Sequence, residues 1–204
     1  MIHVGLTGGI ASGKTTVCNL LQEKGCTILD ADVVAHHLLL RGQRGYEPVV
    51  SAFGPGILGA EGQIDRRKLG ALVFGNPILL ERLNKLVHPE VIREIRAKLE
   101  AFERLARMRV VVDASLMIES GLHHDFQRLI LVSCTLEQQV GRLMNRDGLS
   151  LEQAQQRIAL QMPLADKRAF ATDIIDNSGT AENTRRQVDI LFEDLERTAW
   201  TTSH

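Results

Sequence analysis

The sequence predicts an α/β fold in which a five-stranded parallel sheet is flanked by helices. The first observation is the alternation of short apolar runs, rich in β-branched residues, with longer amphipathic stretches. The second is that these runs do not alternate strictly between polar and apolar residues, which is typical of strands buried on both faces. A third is a glycine-rich segment directly after the first run. The predicted strands are 2–6, 26–29, 109–112, 129–132 and 173–175.

Apolar stripes with helical spacing place the helices between these strands. The first helix is expected to end near Gly25, and a long helical pattern runs from Leu79 to Phe102. Pro89 lies inside that long pattern and is expected to kink or split it. Ser150 and Gln153 have the spacing of a capping box, which predicts the start of a helix. The remaining helical stripes run through Val140, Leu143 and Met144 and through Val188, Leu191, Phe192 and Leu195.

About eighty residues separate the second and third predicted strands, far more than one crossover helix requires. We therefore expect a single domain, 1–204, that contains a substrate-binding insertion. The expected core comprises about 1–32, 107–135 and 168–204. The acceptor-binding subdomain would cover about 33–106, and a helical lid about 136–167.

Composition excludes several classes of protein. With 24 basic and 25 acidic residues the net charge is −1, which argues against nucleic acid as the main partner. No apolar run approaches the ~20 residues of a membrane-spanning helix, and no secretory signal is recognisable. The three cysteines, Cys18, Cys26 and Cys134, fall in apolar segments without metal spacing, so we expect reduced thiols. These features predict a cytoplasmic protein without membrane partners.

Residues 8–15 match the phosphate-binding pattern G-x-x-x-x-G-K-[ST], between a predicted strand and a predicted helix. Glycines allow several backbone N–H groups to turn toward one point, and the helix adds its positive end. Lys14 is expected to reach the β- and γ-phosphates of ATP, and the Thr15 hydroxyl to ligate Mg²⁺. The expected ATP contacts in this segment are Gly8, Gly9, Ile10, Ala11, Ser12, Gly13, Lys14, Thr15 and Thr16.

Two carboxylates follow the second strand. The alternation of side chains along a strand would put Asp30 and Asp32 on the same side, at the sheet edge that faces ligands. There Asp32 could act as general base, with Asp30 orienting the acceptor or acting through Mg²⁺-bound water. The alternative is that this aspartate is only a helix N-cap. Asp113 ends the third apolar run, as in a Walker-B strand, and could hold Mg²⁺ directly or through water.

Arginines Arg142 and Arg146 lie four residues apart on a predicted helix and therefore share a face. Arg157 follows on the next helix. Guanidinium groups on a mobile flap could close over the polyphosphate and exclude water. The alternative is a solvated helix face with acidic partners.

Six ordered segments resemble those of the dephospho-CoA kinase family. They are Gly5–Thr15; Asp30-Ala31-Asp32; the stretch from Asp65-Arg66 to Leu83-Asn84 and His88-Pro89; Asp113 to Glu119; Gln139 to Gly148; and Gln161, Lys167 and Ile174–Gly179. The resemblance implies the three-layer fold of P-loop nucleotide kinases. It also implies ATP-dependent phosphorylation of the ribose 3′-hydroxyl of dephospho-CoA, the last step of coenzyme A synthesis, with Mg²⁺.

The resemblance also implies roles for individual residues. Asp32 would be the catalytic base, assisted by Lys14 and Arg142, while Arg142, Arg146 and Asn177 would contact ATP. The acceptor would be bound by Asp30, Asp32, His36, Arg66, His88 and Leu116. The expected partners are ATP and dephospho-CoA, and the expected assembly is a monomer or a weak homo-oligomer.

Two positions depart from the family pattern. His36 replaces the usual arginine. If that arginine holds acceptor phosphate in the family, either acceptor affinity is weaker in this chain or Arg41, Arg66 or Arg67 substitutes for it. Ser115 replaces the usual proline. Other small-molecule kinases should lack the six-segment set. A GTPase switch would need N-K-x-D, which is absent because Asn84-Lys85 is followed by Leu86-Val87.

Overall fold

The computed structural model describes residues 3–105 and 109–198. Five parallel strands form one sheet in the order β2-β3-β1-β4-β5, which confirms the predicted fold class. The strands lie within one or two residues of the predicted runs, and Ile2 is outside the described residues. Their bounds are β1 Val4–Gly8, β2 Thr27–Asp30, β3 Val110–Asp113, β4 Arg128–Ser133 and β5 Asp173–Asp176.

Nine α-helices lie between and after these strands in the part of the chain that the structure describes. Three short 3₁₀ segments occur at Pro55–Ile57, Leu122–Asp125 and Arg168–Phe170. The helices are α1 Lys14–Glu23, α2 Ala31–Leu38, α3 Tyr46–Phe53, α4 Arg66–Val73, α5 Pro77–Arg104, α6 Leu136–Asp147, α7 Leu151–Ala159, α8 Leu164–Lys167 and α9 Ala181–Thr198.

One face of the sheet packs against α1 and α9. Alternate strand residues such as Val4, Leu6 and Ile130 contact Leu21 of α1 and Leu195 of α9 in one buried cluster. Neighbouring strand residues point to the opposite face, because side chains alternate along a strand. The central strands β1, β3 and β4 are buried on both faces, as their continuous apolar runs predict, whereas Ile174 of the edge strand β5 is 38% exposed.

The opposite face comes very close to the segment that follows β3. A Cβ added to Gly5 in β1 would lie 2.7 Å from Sδ of Met117 and 3.0 Å from the ring of Phe126. Met117 is fully buried, so moving its sulfur aside would disturb the close-packed side chains around it. Gly5 is needed here because the neighbouring chain packs directly against the strand backbone.

The chain divides into two compact units, one formed by 1–30 with 102–204 and the other by 31–101. The second unit has its own apolar cluster, in which Val49, Ile57, Leu69 and Val73 are buried. Asp65 caps α4 by accepting hydrogen bonds from the backbone N–H groups of Arg67 and Lys68, which lowers the pKa of its carboxyl. The functions assigned to the insertion and to the lid remain predictions.

Two local expectations had different outcomes. Ser150 and Gln153 form the predicted capping box, and Thr135 with Gln138 forms a second one at the start of α6. Pro89 does not split the long helix, because α5 includes it and is 28 residues long, while the kink expected as the alternative stays a prediction. An interior proline removes one backbone hydrogen bond, and the remaining turns are sufficient to hold this helix together.

No helix within 3–105 or 109–198 has both the length and the apolar character to cross a membrane. Cys18, Cys26 and Cys134 are free thiols. Burial raises the pKa of Cys18 and of Cys26 to about 12. Both therefore remain protonated near neutrality, as expected for reduced core residues.

We expect Gly5→Ala and Gly141→Ala to change stability in opposite directions. Gly5→Ala should lower the free energy of unfolding by about 1–3 kcal/mol, because the new methyl group overpacks the core. Gly141 lies in α6 with open space around its Cβ position. Gly141→Ala should raise stability by about 0.5–1 kcal/mol. Urea unfolding measures both changes, and a Gly5→Ala protein as stable as the wild type would contradict the packing argument.

Candidate nucleotide-binding site

The glycine-rich segment turns sharply between β1 and α1. Gly13 has φ 97° and Ala11 has φ 58°, so two of its residues adopt left-handed conformations. The turn is closed by a hydrogen bond from the Ser12 N–H to the Gly9 carbonyl, with an N–O distance of 3.1 Å. Glycine adopts a positive φ without cost, whereas Ala11 does so only at a cost of about 1 kcal/mol.

Side chains from outside the segment bind three successive carbonyls of this loop. Gln139 Nε2 donates to the Ile10 carbonyl at 2.7 Å, and Asn177 Nδ2 donates to the Ser12 carbonyl at 2.8 Å. Arg142 Nη1 contacts the carbonyls of Ser12 and Ala11 at 3.2 and 3.5 Å. Arg142 Nη2 also donates to the Asn177 carbonyl at 2.8 Å.

These contacts determine which way the loop amides point. In a trans peptide the C=O and the next N–H point in opposite directions. Holding the carbonyls of Ile10 and Ser12 outward therefore directs the N–H groups of Ala11 and Gly13 inward. The first turn of α1 adds the N–H groups and the positive dipole of a helix start. The result is a concave set of donors suited to a phosphate group.

Gly13 is required for a second reason besides its φ angle. A Cβ at this position would lie 1.9 Å from Nδ2 of Asn177, the amide that holds the loop. Asn177 is itself fixed, because its Oδ1 accepts from the Thr184 hydroxyl at 2.9 Å and its N–H donates to Ser133 at 2.7 Å. A side chain at residue 13 would thus displace a rigidly held partner.

Lys14 and Asp113 form an ion pair at the same edge of the sheet. Lys14 Nζ lies 2.9 Å from Asp113 Oδ1 and donates to Oδ2 at 3.2 Å, and both side chains are mostly buried. Asp113 is the last residue of β3 and is paired in register with Asp30, the last residue of β2. The carboxyl ends of two neighbouring strands therefore bring two carboxylates to this edge.

The two other lid arginines lie apart from the loop carbonyls. Arg146 Nε donates to Asp147 Oδ1 at 2.7 Å, and Arg157 Nη1 to Asp147 Oδ2 at 3.0 Å. The Arg146 guanidinium holds the pKa of the Asp147 carboxyl below its usual range. Among the described contacts of these three arginines, those with the phosphate-binding segment belong to Arg142.

Comparison with known proteins covers almost the whole chain. The family model described as Dephospho-CoA kinase matches residues 2–183. A dephospho-CoA kinase from Geobacillus kaustophilus is 45% identical over 187 residues, covering 92% of this chain and 93% of that protein. The chain belongs to the dephospho-CoA kinase family.

Solved structures agree with the family assignment. The dephospho-CoA kinase from Campylobacter jejuni aligns with a TM-score of 0.71 at 27% identity, covering 96% of this chain and 97% of the other. A Thermus thermophilus protein aligns with a TM-score of 0.78 at 36% identity, covering 95% and 97%. The fold is therefore that of a P-loop kinase, as the sequence predicts.

Several residues that the family resemblance places on the acceptor side lie in the compact unit 31–101. Asp32 is exposed in the first turn of α2, and His36 is exposed in its last turn. Arg66 is the exposed first residue of α4, and His88 is half-buried on α5. Leu116 belongs to the other unit, where it is half-buried in the turn after β3.

The expected strand alternation of Asp30 and Asp32 was wrong. β2 ends at Asp30 and α2 begins at Ala31, so the two carboxylates belong to different elements. Asp32 is the second residue of α2. It is therefore not the N-cap, because an N-cap residue directly precedes the first helical residue. The sequence could not show this because an apolar run followed by Asp-Ala-Asp fits either ending.

Sequence reasoning gave no role to three polar residues of the dephospho-CoA kinase segments. Gln139 is 5% exposed and holds the loop, while Gln161 Oε1 accepts from the Ile10 N–H at 2.7 Å. Lys167 is fully buried and donates to the Ser115 carbonyl at 2.7 Å, with Glu119 Oε1 2.9 Å away. Burial lowers the pKa of Lys167, and Glu119 opposes that shift. In the sequence, the only indication that these three residues matter was that they lie in segments that resemble the dephospho-CoA kinase family.

We expect Gly13→Ala to weaken phosphate binding, whereas Gly121→Ala should not. Both glycines have positive φ, but a Cβ at Gly121 meets nothing within 4 Å. Gly121→Ala should therefore cost only about 1 kcal/mol of stability. Gly13→Ala should in addition weaken ATP binding by about tenfold or more, because it displaces Asn177. Calorimetric titration with ATP measures this, and equal affinities of the two variants would contradict it.

Proposed function

We propose that this chain transfers the γ-phosphoryl group of ATP to the ribose 3′-hydroxyl of dephospho-CoA, giving coenzyme A and ADP. The observation that carries the proposal is the family match over residues 2–183, which spans both the phosphate-binding loop and the insertion. This reaction is the final step of coenzyme A synthesis. We place it in the cytoplasm and expect a monomer or a weak homo-oligomer.

The nucleotide half of the reaction uses the loop and its neighbours. We propose that residues 8–16 bind the β- and γ-phosphates through amides that include those of Ala11 and Gly13, since the Ile10 and Ser12 N–H groups already donate to Gln161 and Gly9. We also propose that Lys14 leaves Asp113 to contact these phosphates. Lys14 is suited to exchanging Asp113 for phosphate, because its ion pair with Asp113, at 2.9 Å, already holds its ammonium group at this edge of the sheet. Arg142 and Arg146 supply positive charge from α6, and Asn177 contributes from the loop after β5.

The residues beside the loop fit the Mg²⁺ that accompanies ATP. Thr15 offers an exposed hydroxyl at the start of α1, and Asp113 offers a carboxylate. Among the described residues, no group of three or more His, Cys, Asp or Glu side chains could hold a metal ion. One hydroxyl and one carboxylate suffice where phosphate oxygens and water complete the octahedron. Bound Mg²⁺ would neutralise charge on the transferred group.

The acceptor half rests on Asp32 as general base. An exposed carboxylate in the first turn of a helix can accept the proton of a ribose hydroxyl as that oxygen attacks phosphorus. We propose that Asp30, His36, Arg66, His88 and Leu116 bind dephospho-CoA. Because an arginine is always charged and can bind phosphate through two hydrogen bonds at once, Arg66 is our candidate for the acceptor's phosphate.

Replacing Asp32 by Asn should reduce kcat by about 10²–10⁴-fold, because the proton acceptor is lost. Glu47→Gln is the matched control, since it removes an exposed carboxylate from the first turn of another helix, α3. The control should retain its turnover. Steady-state rates of ADP release measure both variants, with circular dichroism to confirm folding. Near-normal turnover by a folded Asp32→Asn protein would eliminate Asp32 as the base.

Acceptor identity is tested by a coupled ADP-release assay with a panel of acceptors. We expect kcat/KM with dephospho-CoA to exceed that with AMP, CMP or shikimate by about 100-fold or more, since only the true acceptor meets every binding contact. ADP release without any acceptor provides the background. A higher value with AMP, CMP or shikimate would assign the chain a different acceptor.

A further inference from the structure

Gln139 combines three properties that are unusual for a polar helix residue. It is 5% exposed, and its side-chain amide extends beyond α6 to another segment of the chain. There Nε2 donates a hydrogen bond to the Ile10 carbonyl at 2.7 Å. On the same residue of the loop, the Ile10 N–H donates to Gln161 Oε1, also at 2.7 Å. Two glutamine side chains thus hold both backbone polar groups of Ile10.

Ile10 precedes the most restricted position of the loop. Ala11, with φ 58°, is the only residue other than glycine with positive φ among the described residues. A left-handed alanine is unfavourable by itself, so neighbouring peptides must be held from outside to keep it there. The hydrogen bond from Gln139 fixes the peptide between Ile10 and Ala11, which sets the direction of the Ala11 N–H.

Gly9 is explained by the same contact. Its φ is not among the positive values, so conformational freedom does not account for a glycine at this position. A Cβ on Gly9 would instead lie 2.5 Å from Nε2 of Gln139. The space left by the absent side chain is where the glutamine amide passes to reach Ile10.

We propose that Gln139 is a positioning residue that sets the phosphate loop for ATP by fastening the Ile10 carbonyl, and that Gly9 is glycine to admit it. Without this bond the partly buried Ile10 carbonyl lacks its partner, and the peptide can rotate so that the Ala11 N–H no longer points inward. The inference rests on the proposed use of ATP, but not on the identity of the acceptor.

A double-mutant cycle on ATP affinity tests this link. Gln139→Ala removes the bond, and Gly9→Ala should push the amide aside, so each change should weaken ATP binding by about tenfold. Because both act on one contact, the double variant should also lose about tenfold rather than about 100-fold. Calorimetric titration with MgATP and with MgADP gives the affinities without any acceptor.

Two further variants separate positioning from general destabilisation. Leu143→Val truncates a fully buried residue of the same helix and should lower the melting temperature while leaving ATP affinity unchanged. Gln139→Glu keeps the shape of the side chain but places an acceptor against the Ile10 carbonyl, so it should weaken binding at least as much as Gln139→Ala. This variant also carries the test if the alanine variant does not fold.

Unchanged ATP affinity in a folded Gln139 variant would overturn the proposal. An additive double variant, or an equal loss of affinity in Leu143→Val, would do the same. Failure of the acceptor assay with dephospho-CoA while this cycle holds would refute the proposed acceptor and leave the positioning role intact.

Discussion

Binding of a polyanion by main-chain amides requires that the carbonyls of the same loop be held away from the ligand. In this chain the carbonyls of Ile10, Ala11 and Ser12 are held by Gln139, Arg142 and Asn177. The strand order makes this possible. β4 lies next to β1, and β5 lies next to β4. The helix α6 after β4 and the loop after β5 therefore begin at the same edge of the sheet as the phosphate-binding loop after β1.

The other side of β1 provides the opposite charge. β3 and then β2 follow in the sheet, and their last residues, Asp113 and Asp30, are paired in register. Lys14 at the start of α1 forms an ion pair with Asp113. The end of β1 thus has the side chains that hold the loop carbonyls on one side and the two carboxylates on the other.

An ion pair between the fully buried Lys167 and Glu119, which is partly exposed, ties the segment after β3 to α8. Lys167 has no exposed surface, and Glu119 also accepts a hydrogen bond from the Met162 N–H at 3.0 Å. Burying the Lys167 ammonium is costly, and its contacts with Glu119 and the Ser115 carbonyl offset that cost. The ion pair also restricts the path of 161–167, and Gln161, which contacts the loop, lies at the start of that path.

The sequence by itself determined the parallel α/β class, the five strands to within two residues, and the phosphate-binding loop. Period, strand length and glycine spacing are local properties, and they survive in any tertiary context. The ends of elements were less certain, as Asp32 shows, because the same residues can close a strand or open a helix. Only the tertiary structure decided that Gly9 and Gly13 leave room for Gln139 and Asn177. Those partners lie more than a hundred residues away along the chain, and a contact between them exists only once the strands have taken their order.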